Sequence, residues 1–389
     1  MHILEIPSFF TPYGGEFCLE QAQALKAIGH EVRILSNVQI AMTIGLKGYF
    51  TLPCRRYEHE RDGITVYQSF QRGVPKAVRW NMKRWVAIVC DMFDDYVARY
   101  GKPDILHAHC TKWAGYAAMI IGRKYGIPYV VTEHLPYEIY VQEFGPSPYN
   151  GWQIALLKET LKQAAMVITV SEELVDKLSV YFGTDYHHVF ISNTVDVDFF
   201  SYRPRRKLDG RPFCFCCMAI YDDRKGYDVL FEAFERLAAR CSEVELYVAG
   251  RGTDSQLFRS MVKSLGCSSM VHVLGELDKT GVRDLLYQSD ALVLATRGET
   301  QGLVLLEALS TGIPVVSTVA IPPSVRLNEA SWFVDVNDAV GLADMMGKLV
   351  AGKLSYDGVK ASRMVCEMAS PKVIGEKLSA VLSEACRHQ

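Results

Sequence analysis

The segment 298–318, GETQGLVLLEALSTGIPVVST, carries two glutamates, Glu299 and Glu307, eight positions apart. The run before it, ALVLAT (291–296), predicts a buried strand, and GLVLLEALSTG predicts a helix that ends at a glycine with a proline just beyond. IPVVST (313–318) predicts the next strand. A strand, a helix and a second strand in this order are typical of a parallel sheet that is covered by helices.

The same alternation extends along the rest of the chain. Short apolar, β-rich runs alternate with longer amphipathic runs, which is the pattern of an α/β protein. After Asp196 the alternation is interrupted by FFSYRPRRKLDGRP, which is basic, contains Pro and Gly, and is typical of a linker. The predicted strands are 2–7, 31–36, 64–69, 104–109, 129–134, 166–171, 213–220, 244–250, 270–275, 291–296 and 313–318, and the predicted helices include 16–29, 115–126 and 227–240.

The length of the chain predicts more than one domain. A chain of 389 residues is too long for one ordinary hydrophobic core. We predict an α/β fold with two Rossmann-like, doubly wound domains that face a cleft. The first covers residues 1–197, the second covers 198–370, and a terminal helix, 371–389, packs back on the first domain. Ligands of open α/β sheets bind beyond the carboxyl ends of the strands, so each domain is expected to supply loops to a site.

Composition and charge exclude several classes of protein. The net charge of −2 gives no electrostatic case for binding nucleic acid. No uninterrupted apolar run reaches the ~18 residues of a membrane span, and we expect no cleavable signal peptide because residues 2–7 already predict a buried strand. The cysteines number eleven and are scattered, which favours reduced thiols. Cys214, Cys216 and Cys217 lack the spacing of zinc ligands and predict strand residues.

The two glutamates of the opening segment suit a ligand with phosphates and sugars. The predicted helix start near Gly302 offers unpaired N–H groups and a positive dipole end, which favour a phosphate. Eight positions of a helix span about 12 Å, roughly the distance from the sugar of a nucleoside diphosphate sugar to its ribose. A carboxylate accepts hydrogen bonds from two vicinal hydroxyls, so one glutamate would hold each ring. The alternative is that Glu299 is a helix-start acid and Glu307 an exposed face residue.

The spacing of residues 299–316, Glu-x-x-Gly-Leu-x-x-x-Glu-Ala-Leu-x-x-Gly-x-Pro-Val-Val, resembles the signature of glycosyltransferase family 4. These are retaining sugar transferases of the GT-B fold. The resemblance extends over nearly the whole chain in a consistent order. It assigns the acceptor side to the first domain and the nucleotide sugar to the second. The other matching segments are Thr11-Pro-Tyr-Gly-Gly15 with its following helix, 104–109, 127–134, 168–171, 192–196, Lys225-Gly226 and 248–252.

The resemblance implies a role for each matching residue. Glu307 would bind the ribose hydroxyls, Glu299 would contact the donor sugar, and Lys225 would bind the diphosphate. His134 would touch the donor sugar near the reaction; the alternative is a satisfied core histidine at a strand end. We interpret His107 and His109 as structural. The predicted catalytic residues are His134 and Glu299, and the predicted donor-binding residues are Gly14, Gly15, Arg224, Lys225, Thr300, Gln301, Gly302, Leu303 and Glu307.

The sequence departs from the family at one position. Family members often carry Gly-Arg five to six positions before the lysine of Lys-Gly, and that arginine holds the diphosphate. Ala219 and Ile220 stand there in this chain, so Arg224 is a candidate to replace the lost charge. No Asp-x-Asp motif follows a predicted strand, so we expect no metal and no other cofactor. The phosphate charge would be met by Lys225, Arg224 and helix dipoles.

A basic aromatic stretch, residues 72–85, lies outside these motifs. On a helix, Lys76, Arg79 and Lys83 would share one side. They predict a peripheral membrane surface or a contact with a lipid diphosphate acceptor. The alternative, which we favour, is a solvated face over buried Trp85 and Val86.

The sequence as a whole therefore predicts a cytoplasmic, metal-independent, retaining glycosyltransferase. Its donor would be a nucleoside diphosphate sugar, and its acceptor a hydroxyl of a growing surface glycan or lipid-linked oligosaccharide. The enzyme alternatives are a GT-B epimerase or phosphorylase, and the alternative of another class is a non-catalytic sugar-nucleotide-binding subunit. A dinucleotide-dependent dehydrogenase is disfavoured because Gly-x-Gly-x-x-Gly does not follow the first strand. The base, the sugar and the linkage are not encoded in these motifs.

Overall fold

The computed structural model describes residues 1–12, 14–42, 46–51, 53–144, 151–204 and 210–387. Tyr13 of the predicted glycine loop and residues 205–209 of the predicted linker lie outside this set. The chain forms two compact units. Unit 1 is Met1–Thr194 together with Pro371–Gln389, and unit 2 is Val195–Ser370.

Unit 1 contains an eight-stranded sheet with the order β3-β4-β2-β1-β5-β6-β7-β8. Every pairing is parallel except that of β3 with β4. From β1 the chain builds the sheet outward on one side, and β5 then starts the other side. The point between β1 and β5 is therefore the topological switch point, where α/β sheets bind ligands. The strands are β1 (His2–Pro7), β2 (Glu31–Ile40), β3 (Tyr57–Arg61), β4 (Ile64–Arg72), β5 (Ile105–His109), β6 (Tyr129–Glu133), β7 (Met166–Thr169) and β8 (His188–Phe190).

Two hydrophobic cores cover the two faces of this sheet. One core is formed with α1, and the other with α3, α4, α6 and α7. The strand β5 is buried at every position, as expected for a central parallel strand with helices on both faces. The helices are α1 (Glu16–Ala27), α2 (Leu46–Thr51), α3 (Val78–Tyr100), α4 (Tyr116–Tyr125), α5 (Tyr137–Phe144), α6 (Trp152–Gln163) and α7 (Leu174–Phe182).

Unit 2 contains a six-stranded, all-parallel sheet with the order β11-β10-β9-β12-β13-β14. The order reverses between β9 and β12, which is the switch point of this unit. The predicted doubly wound α/β fold is confirmed in both units. The strands are β9 (Phe213–Met218), β10 (Val244–Ala249), β11 (Val271–Gly275), β12 (Ala291–Val293), β13 (Val315–Thr318) and β14 (Ser331–Val334).

Helices connect the strands of unit 2. The first strand of this unit, β9, contains cysteines. Cys214, Cys216 and Cys217 are residues of β9, and all three are free thiols, as the sequence predicted. The helices are α8 (Tyr227–Ala238), α9 (Gln256–Lys263), α10 (Lys279–Gln288), α11 (Leu303–Ser310), α12 (Ala339–Val350) and α13 (Gly358–Ala369).

The last helix, α14 (Pro371–Arg387), belongs to unit 1. Its apolar residues Ile374, Leu378 and Leu382 are fully buried in the core that α1 also lines. Gly375 allows the two helices to approach closely, because a Cβ atom there would lie 2.7 Å from the carbonyl oxygen of Ala24. Among the described residues, no helix combines the length and the apolar character that a membrane span requires.

Candidate functional site

A cavity lies at the carboxyl edge of the unit 2 sheet, where β9, β10 and β11 end and α11 begins. Its volume is about 270 Å³. Its walls are mostly apolar or backbone, with three charged side chains among them. A pocket of this composition suits a planar apolar group attached to a polar one. The lining residues are Met218, Ala219, Ile220, Ala249, Gly250, Arg251, Glu276, Leu277, Val282, Val304 and Glu307.

Glycine backbone makes this cavity possible. Gly250 adopts a φ of 137°, and a Cβ atom there would lie 1.9 Å from the carbonyl oxygen of Ala219. The loops after β9 and β10 therefore approach more closely than any side chain would allow. Two backbone hydrogen bonds hold them together, from Ala219 N to Ala249 O at 3.0 Å and from Tyr221 N to Arg251 O at 2.9 Å.

Helix α11 presents Glu307 to the cavity. The helix begins after Gly302, whose φ of 86° suits only glycine well, and a Cβ atom there would lie 2.9 Å from Ile321 Cδ1. Glu307 is half-buried within an otherwise apolar helix and lines the cavity wall. The structure corrects the 12 Å estimate. Glu299 precedes the helix in an irregular loop, so the helical rise does not apply to all eight positions.

The structure brings Lys225 and Glu299 together. Their Nζ and Oε1 atoms lie 2.5 Å apart, and the side chains are 16% and 13% exposed. Lys225 ends a short 3₁₀ turn, and the next residue, Gly226, has a φ of 62°. A Cβ atom on Gly226 would lie 2.1 Å from the carbonyl oxygen of Ala295, at the end of β12. The glycine of Lys-Gly is thus required for the lysine loop to pack against the loop that carries Glu299.

Arg224 does not line the cavity that contains Glu307. Its guanidinium is bound to Asp222, with Nε 3.1 Å from Oδ1 and Nη2 3.2 Å from Oδ2. Asp222 also accepts a hydrogen bond from Arg224 N at 2.8 Å, which caps the turn. Arg251 does line the cavity, beside Ile220. Arg251 is a residue that the sequence reasoning missed, although it stands in the quoted run 248–252.

Arg297 is a second residue that sequence reasoning missed. Its guanidinium donates to Asp223 O and to Asp228 Oδ2, both at 2.6 Å, and to Asn337 Oδ1 at 2.7 Å. The contact with Arg297 also lowers the pKa of Asp228. This arginine ties the lysine loop to the loop of Glu299. A single basic residue among many gives no sequence signal of such a role.

The remaining predicted donor-binding residues of unit 2 lie in the same loop and helix start. Thr300 is half-buried, and Gln301 is 3% exposed. Leu303 is the first residue of α11. Their neighbour Val304, rather than Leu303, lines the cavity.

In unit 1 the loop between β1 and α1 contains Gly14 and Gly15. Both have positive φ, 99° and 89°. A Cβ atom on Gly15 would lie 2.4 Å from the carbonyl oxygen of Phe9. The loop therefore folds tightly onto itself at the switch point, and only glycine fits at this position.

His134 follows β6 and belongs to a buried polar cluster. Its Nε2 lies 3.0 Å from His109 Nδ1, and its ring stacks on Phe17 with the centroids 3.8 Å apart. His109 Nε2 in turn lies 2.7 Å from Glu5 Oε2. Burial, followed by the neighbouring imidazoles, holds the pKa of His134 well below its usual value. His134 is therefore a neutral imidazole.

The charge of this cluster sits on Glu5. Burial opposes that charge, but His107 and His109 outweigh it and lower the pKa of Glu5 to about 2. His107 Nδ1 lies 2.9 Å from the same carboxylate oxygen, and its Nε2 lies 2.7 Å from Thr132 Oγ1. Both histidines are completely buried, as a structural role requires.

Glu5, His107 and His109 are also the one group of potential metal ligands within the described residues. Their separations argue for hydrogen bonds. Two ligands of a tetrahedral zinc ion lie about 3.3 Å apart, given metal–ligand distances of about 2.0–2.1 Å. The 2.7 Å between His109 Nε2 and Glu5 Oε2 is the length of a charge-assisted hydrogen bond.

Comparison with known proteins agrees with this geometry. A model described as Glycosyltransferase Family 4 matches residues 14–199, and one described as Glycosyl transferases group 1 matches residues 211–352. Together the two matches include both switch-point loops. The chain belongs to glycosyltransferase family 4. The predicted glycosyltransferase function is thereby confirmed over an epimerase, a phosphorylase or a non-catalytic subunit.

Two relatives and one solved structure illustrate the similarity. A glycosyltransferase of teichuronic acid biosynthesis from Bacillus subtilis, TuaC, is 27% identical over 80% of this chain and 78% of its own length. The phosphatidyl-myo-inositol mannosyltransferase of Mycobacterium leprae is 26% identical over 88% of this chain and 85% of its own. The structure of HepE from Anabaena with UDP and glucose has a TM-score of 0.73 at 16% identity, over 98% of this chain and all of the other. This likeness confirms the GT-B fold.

One prediction about the basic stretch of this family 4 chain, residues 72–85, is wrong. Lys76 does not share a helix face with Arg79 and Lys83, because α3 begins at Val78 and Lys76 lies in the preceding turn with a φ of 63°. All three side chains are exposed. Trp80 is 50% exposed, while Trp85 beneath it is fully buried, as predicted.

Proposed function

We propose that this glycosyltransferase moves a sugar from a nucleoside diphosphate sugar to a hydroxyl acceptor during synthesis of a surface glycan. The observation that carries the proposal is the cavity at the carboxyl edge of unit 2, with Glu307 in its wall. Next to the sheet edge, the Lys225–Glu299 pair adds a cation and a carboxylate. A nucleoside, a diphosphate and a sugar need this sequence of apolar, cationic and hydrogen-bond-accepting groups. The UDP named in the HepE structure supports it.

In this proposal the base occupies the apolar part of the cavity and Glu307 accepts hydrogen bonds from the ribose hydroxyls. An ionised carboxylate has lone pairs for both hydroxyls of a vicinal diol. The cavity volume of about 270 Å³ lies below the ~300–1,000 Å³ of pockets that enclose a whole drug-sized ligand. The diphosphate and sugar therefore extend beyond it.

Lys225 neutralises the diphosphate, and Glu299 binds hydroxyls of the donor sugar. In the unliganded chain the two side chains satisfy each other. Their ion pair holds the lysine side chain in place before the donor binds. An arriving diphosphate competes for the ammonium, which releases the Glu299 carboxylate for the sugar.

Arg251, rather than Arg224, is the better candidate to replace the arginine that Ile220 has displaced. Arg251 lines the cavity with Ile220 and Glu307. Arg224 is already held by two contacts to Asp222. A long guanidinium side chain on the cavity wall reaches phosphate oxygens without a new backbone arrangement.

We also propose that the reaction retains the anomeric configuration and needs no metal. The leaving diphosphate would stay on the same face and help to deprotonate the acceptor hydroxyl, so no protein nucleophile is needed. Lys225 and Arg251 would supply the positive charge that metal-dependent transferases take from a divalent ion. His134 would accept a hydrogen bond from the donor sugar as charge develops at the anomeric carbon.

The acceptor is proposed to be a glycan or a lipid-linked oligosaccharide, as the name of the Bacillus subtilis relative suggests. The location would then be cytoplasmic, at the inner surface of the membrane.

Arg79, Lys83 and the exposed Trp80 would contact anionic lipid. Reversing the charge of Arg79 and Lys83 should abolish binding to anionic vesicles, at about 1 kcal/mol per residue. Arg123→Glu, on an exposed site elsewhere in unit 1, is the control.

The experiment that tests the main proposal has two stages. A thermal-shift screen against UDP, GDP and ADP sugars identifies the donor, since a ligand of the native state raises the melting temperature. NMR of the product formed from that donor then reports the anomeric configuration. If no nucleotide shifts the melting temperature, the donor proposal fails; an inverted product refutes retention only. Loss of turnover in EDTA that Mg²⁺ or Mn²⁺ restores would refute metal independence.

A further inference from the structure

The buried cluster of unit 1 spans three adjacent strands of its sheet. Glu5 lies on β1 and is paired in register with His107 of β5. His107 and His109 are two residues apart on β5, so their side chains lie on the same face of the sheet. His134 follows the next strand, β6. Glu5, His107 and His109 have no exposed surface, and His134 is 9% exposed.

The carboxylate determines the proton positions along this cluster. An ionised carboxylate only accepts hydrogen bonds, so at 2.7 Å His109 must donate through Nε2. Burial, followed by the neighbouring His107 imidazole, lowers the pKa of His109, so this ring is neutral and carries one N–H. Its Nδ1 is then an acceptor. His134, 3.0 Å away, must donate to it through Nε2.

One nitrogen remains at the end of this chain of hydrogen bonds. His134 is neutral and its N–H is committed to His109, so its Nδ1 carries a lone pair. This buried atom has no partner at hydrogen-bonding geometry within the described residues. Burial and the neighbouring imidazoles, which lower the pKa of His134, outweigh an interaction with the Asn193 side chain that raises it. Phe17, the second residue of α1, stacks on the ring and fixes its plane. An oriented imidazole with a bare nitrogen is an acceptor for a hydroxyl.

We propose that Glu5 and His109 are positioning residues that hold His134 in the tautomer with a bare Nδ1, ready to accept a hydrogen bond from a donor-sugar hydroxyl. The relay from carboxylate through two imidazoles is a property of unit 1 alone. The proposal that His134 Nδ1 binds a hydroxyl of the donor sugar rests on the proposed function. The proposed tautomer of His134 does not depend on that function. The two are therefore tested separately.

The tautomer is tested in the full chain with ¹⁵N-labelled histidine. Nitrogen shifts distinguish a ring nitrogen that carries a proton from one that does not, and His134→Phe assigns the signal. The expected wild-type result is a protonated Nε2 and a bare Nδ1 on His134. His109→Phe removes the acceptor and should abolish this preference. His107→Phe is the matched control: His107 is equally buried and contacts the same carboxylate, but it does not bond to His134.

Turnover provides the second readout. His109→Phe should lower kcat about tenfold or more, as expected when a contacting group loses its orientation, and should leave nucleotide affinity unchanged. His107→Phe should keep kcat close to wild type. If His109→Phe does not fold, Glu5→Gln preserves the volume, removes the charge, and should weaken the same tautomer preference.

Three results would overturn the relay. In the first, wild-type His134 carries its proton on Nδ1. In the second, His107→Phe lowers kcat as much as His109→Phe, which makes the cluster merely structural. In the third, one equivalent of Zn²⁺ shifts the signals of both His107 and His109, which identifies a metal site. If the tautomer is as expected but no sugar nucleotide is turned over, the relay stands and the proposed function fails.

Discussion

The two units carry polar residues at equivalent places, the switch points of their sheets, but they satisfy them differently. In unit 1, Glu5 is completely buried and its carboxylate is held by histidines of the neighbouring strand. In unit 2, Glu299 and Lys225 remain partly exposed and are held only by each other, while Glu307 faces a cavity. One unit has a closed network and the other has groups that a ligand can reach.

This difference separates orientation from binding. A buried hydrogen-bond network cannot exchange partners without leaving buried polar groups unpaired, so it fixes geometry. A partly exposed ion pair exchanges partners with less loss than a fully buried one, so it is suited to a charged ligand. We therefore expect substitutions in unit 1 to affect stability and orientation, and substitutions in unit 2 to affect affinity and turnover.

The largest expected effect concerns stability in unit 1. Glu5→Ala leaves two buried imidazoles without their acceptor, and should lower the free energy of unfolding by about 2–6 kcal/mol, at about 1–3 kcal/mol for each unsatisfied group. Glu299→Ala should cause a much smaller loss, because its partner can be solvated. Urea denaturation of both variants measures the difference. Equal losses would contradict the distinction between a closed and an accessible site.

Turnover is expected to respond most strongly in unit 2. Lys225→Ala removes the cation that we assign to the diphosphate, and should lower kcat by about 10²–10³-fold. Lys360→Ala is the control, because Lys360 also forms an ion pair in unit 2, with Glu329, but far more exposed. A Lys225→Ala enzyme with a wild-type kcat would remove the lysine from the mechanism.

Affinity is expected to respond at Glu307. Glu307→Gln loses charge-assisted hydrogen bonds to the ribose, and should weaken binding of the free nucleoside diphosphate by about 1.5–3 kcal/mol. Calorimetry measures this directly. Glu232→Gln, on the exposed face of α8, should bind like wild type. An unchanged affinity in the folded Glu307→Gln protein would rule out the ribose role.

The smallest effect is a pH dependence that belongs to unit 1. The folded pKa of Glu5 is about 2, below its ordinary 4.5, so its stabilisation is present above pH 4.5 and is lost as the pH falls towards 2. His109 and His134 have lowered pKa values, so the unfolded chain binds protons that the native state does not once the pH drops below about 6.5. Stability should therefore fall on acidification.

Each buried neutral histidine adds a slope of up to about 1.4 kcal/mol per pH unit below its ordinary pKa. Removing one of them, as in His134→Phe, should flatten the decrease between pH 6.5 and 5. Glu299→Gln should leave the slope as in wild type. A His134→Phe slope identical to wild type would show that this ring is not buried in its neutral form.

The local sequence pattern was sufficient to predict most of the strands. Short apolar, β-rich runs located β1 and β9 from their first residue, and a longer amphipathic run located α8 from Tyr227. The edge strand β3 was missed, because YEHER is polar and alternates between half-buried and exposed positions. Strand hydrophobicity reports burial, and an edge strand of a hairpin has little of it.

The motifs singled out Lys225, Glu299 and Glu307 as candidates for the unit 2 site, but not their partners. Lys225 and Glu299 are 74 positions apart, and Glu5 and His109 are 104 apart. Nothing in either local sequence records such a pairing. His107 and His109 were interpreted as structural, and Glu5, whose carboxylate contacts both of them, was treated only as part of an apolar strand.

The sequence by itself therefore determined the class of fold, the positions of most strands and the residue types at each switch point, because these depend on local periodicity and on positions that only glycine can occupy. The tertiary structure determined which charged side chains contact each other. It paired Lys225 with Glu299, turned Arg224 onto Asp222, and placed Arg251 beside Ile220 in the cavity wall. Side-chain partners depend on how distant strands are brought into register, and that is a property of the sheet rather than of any one segment.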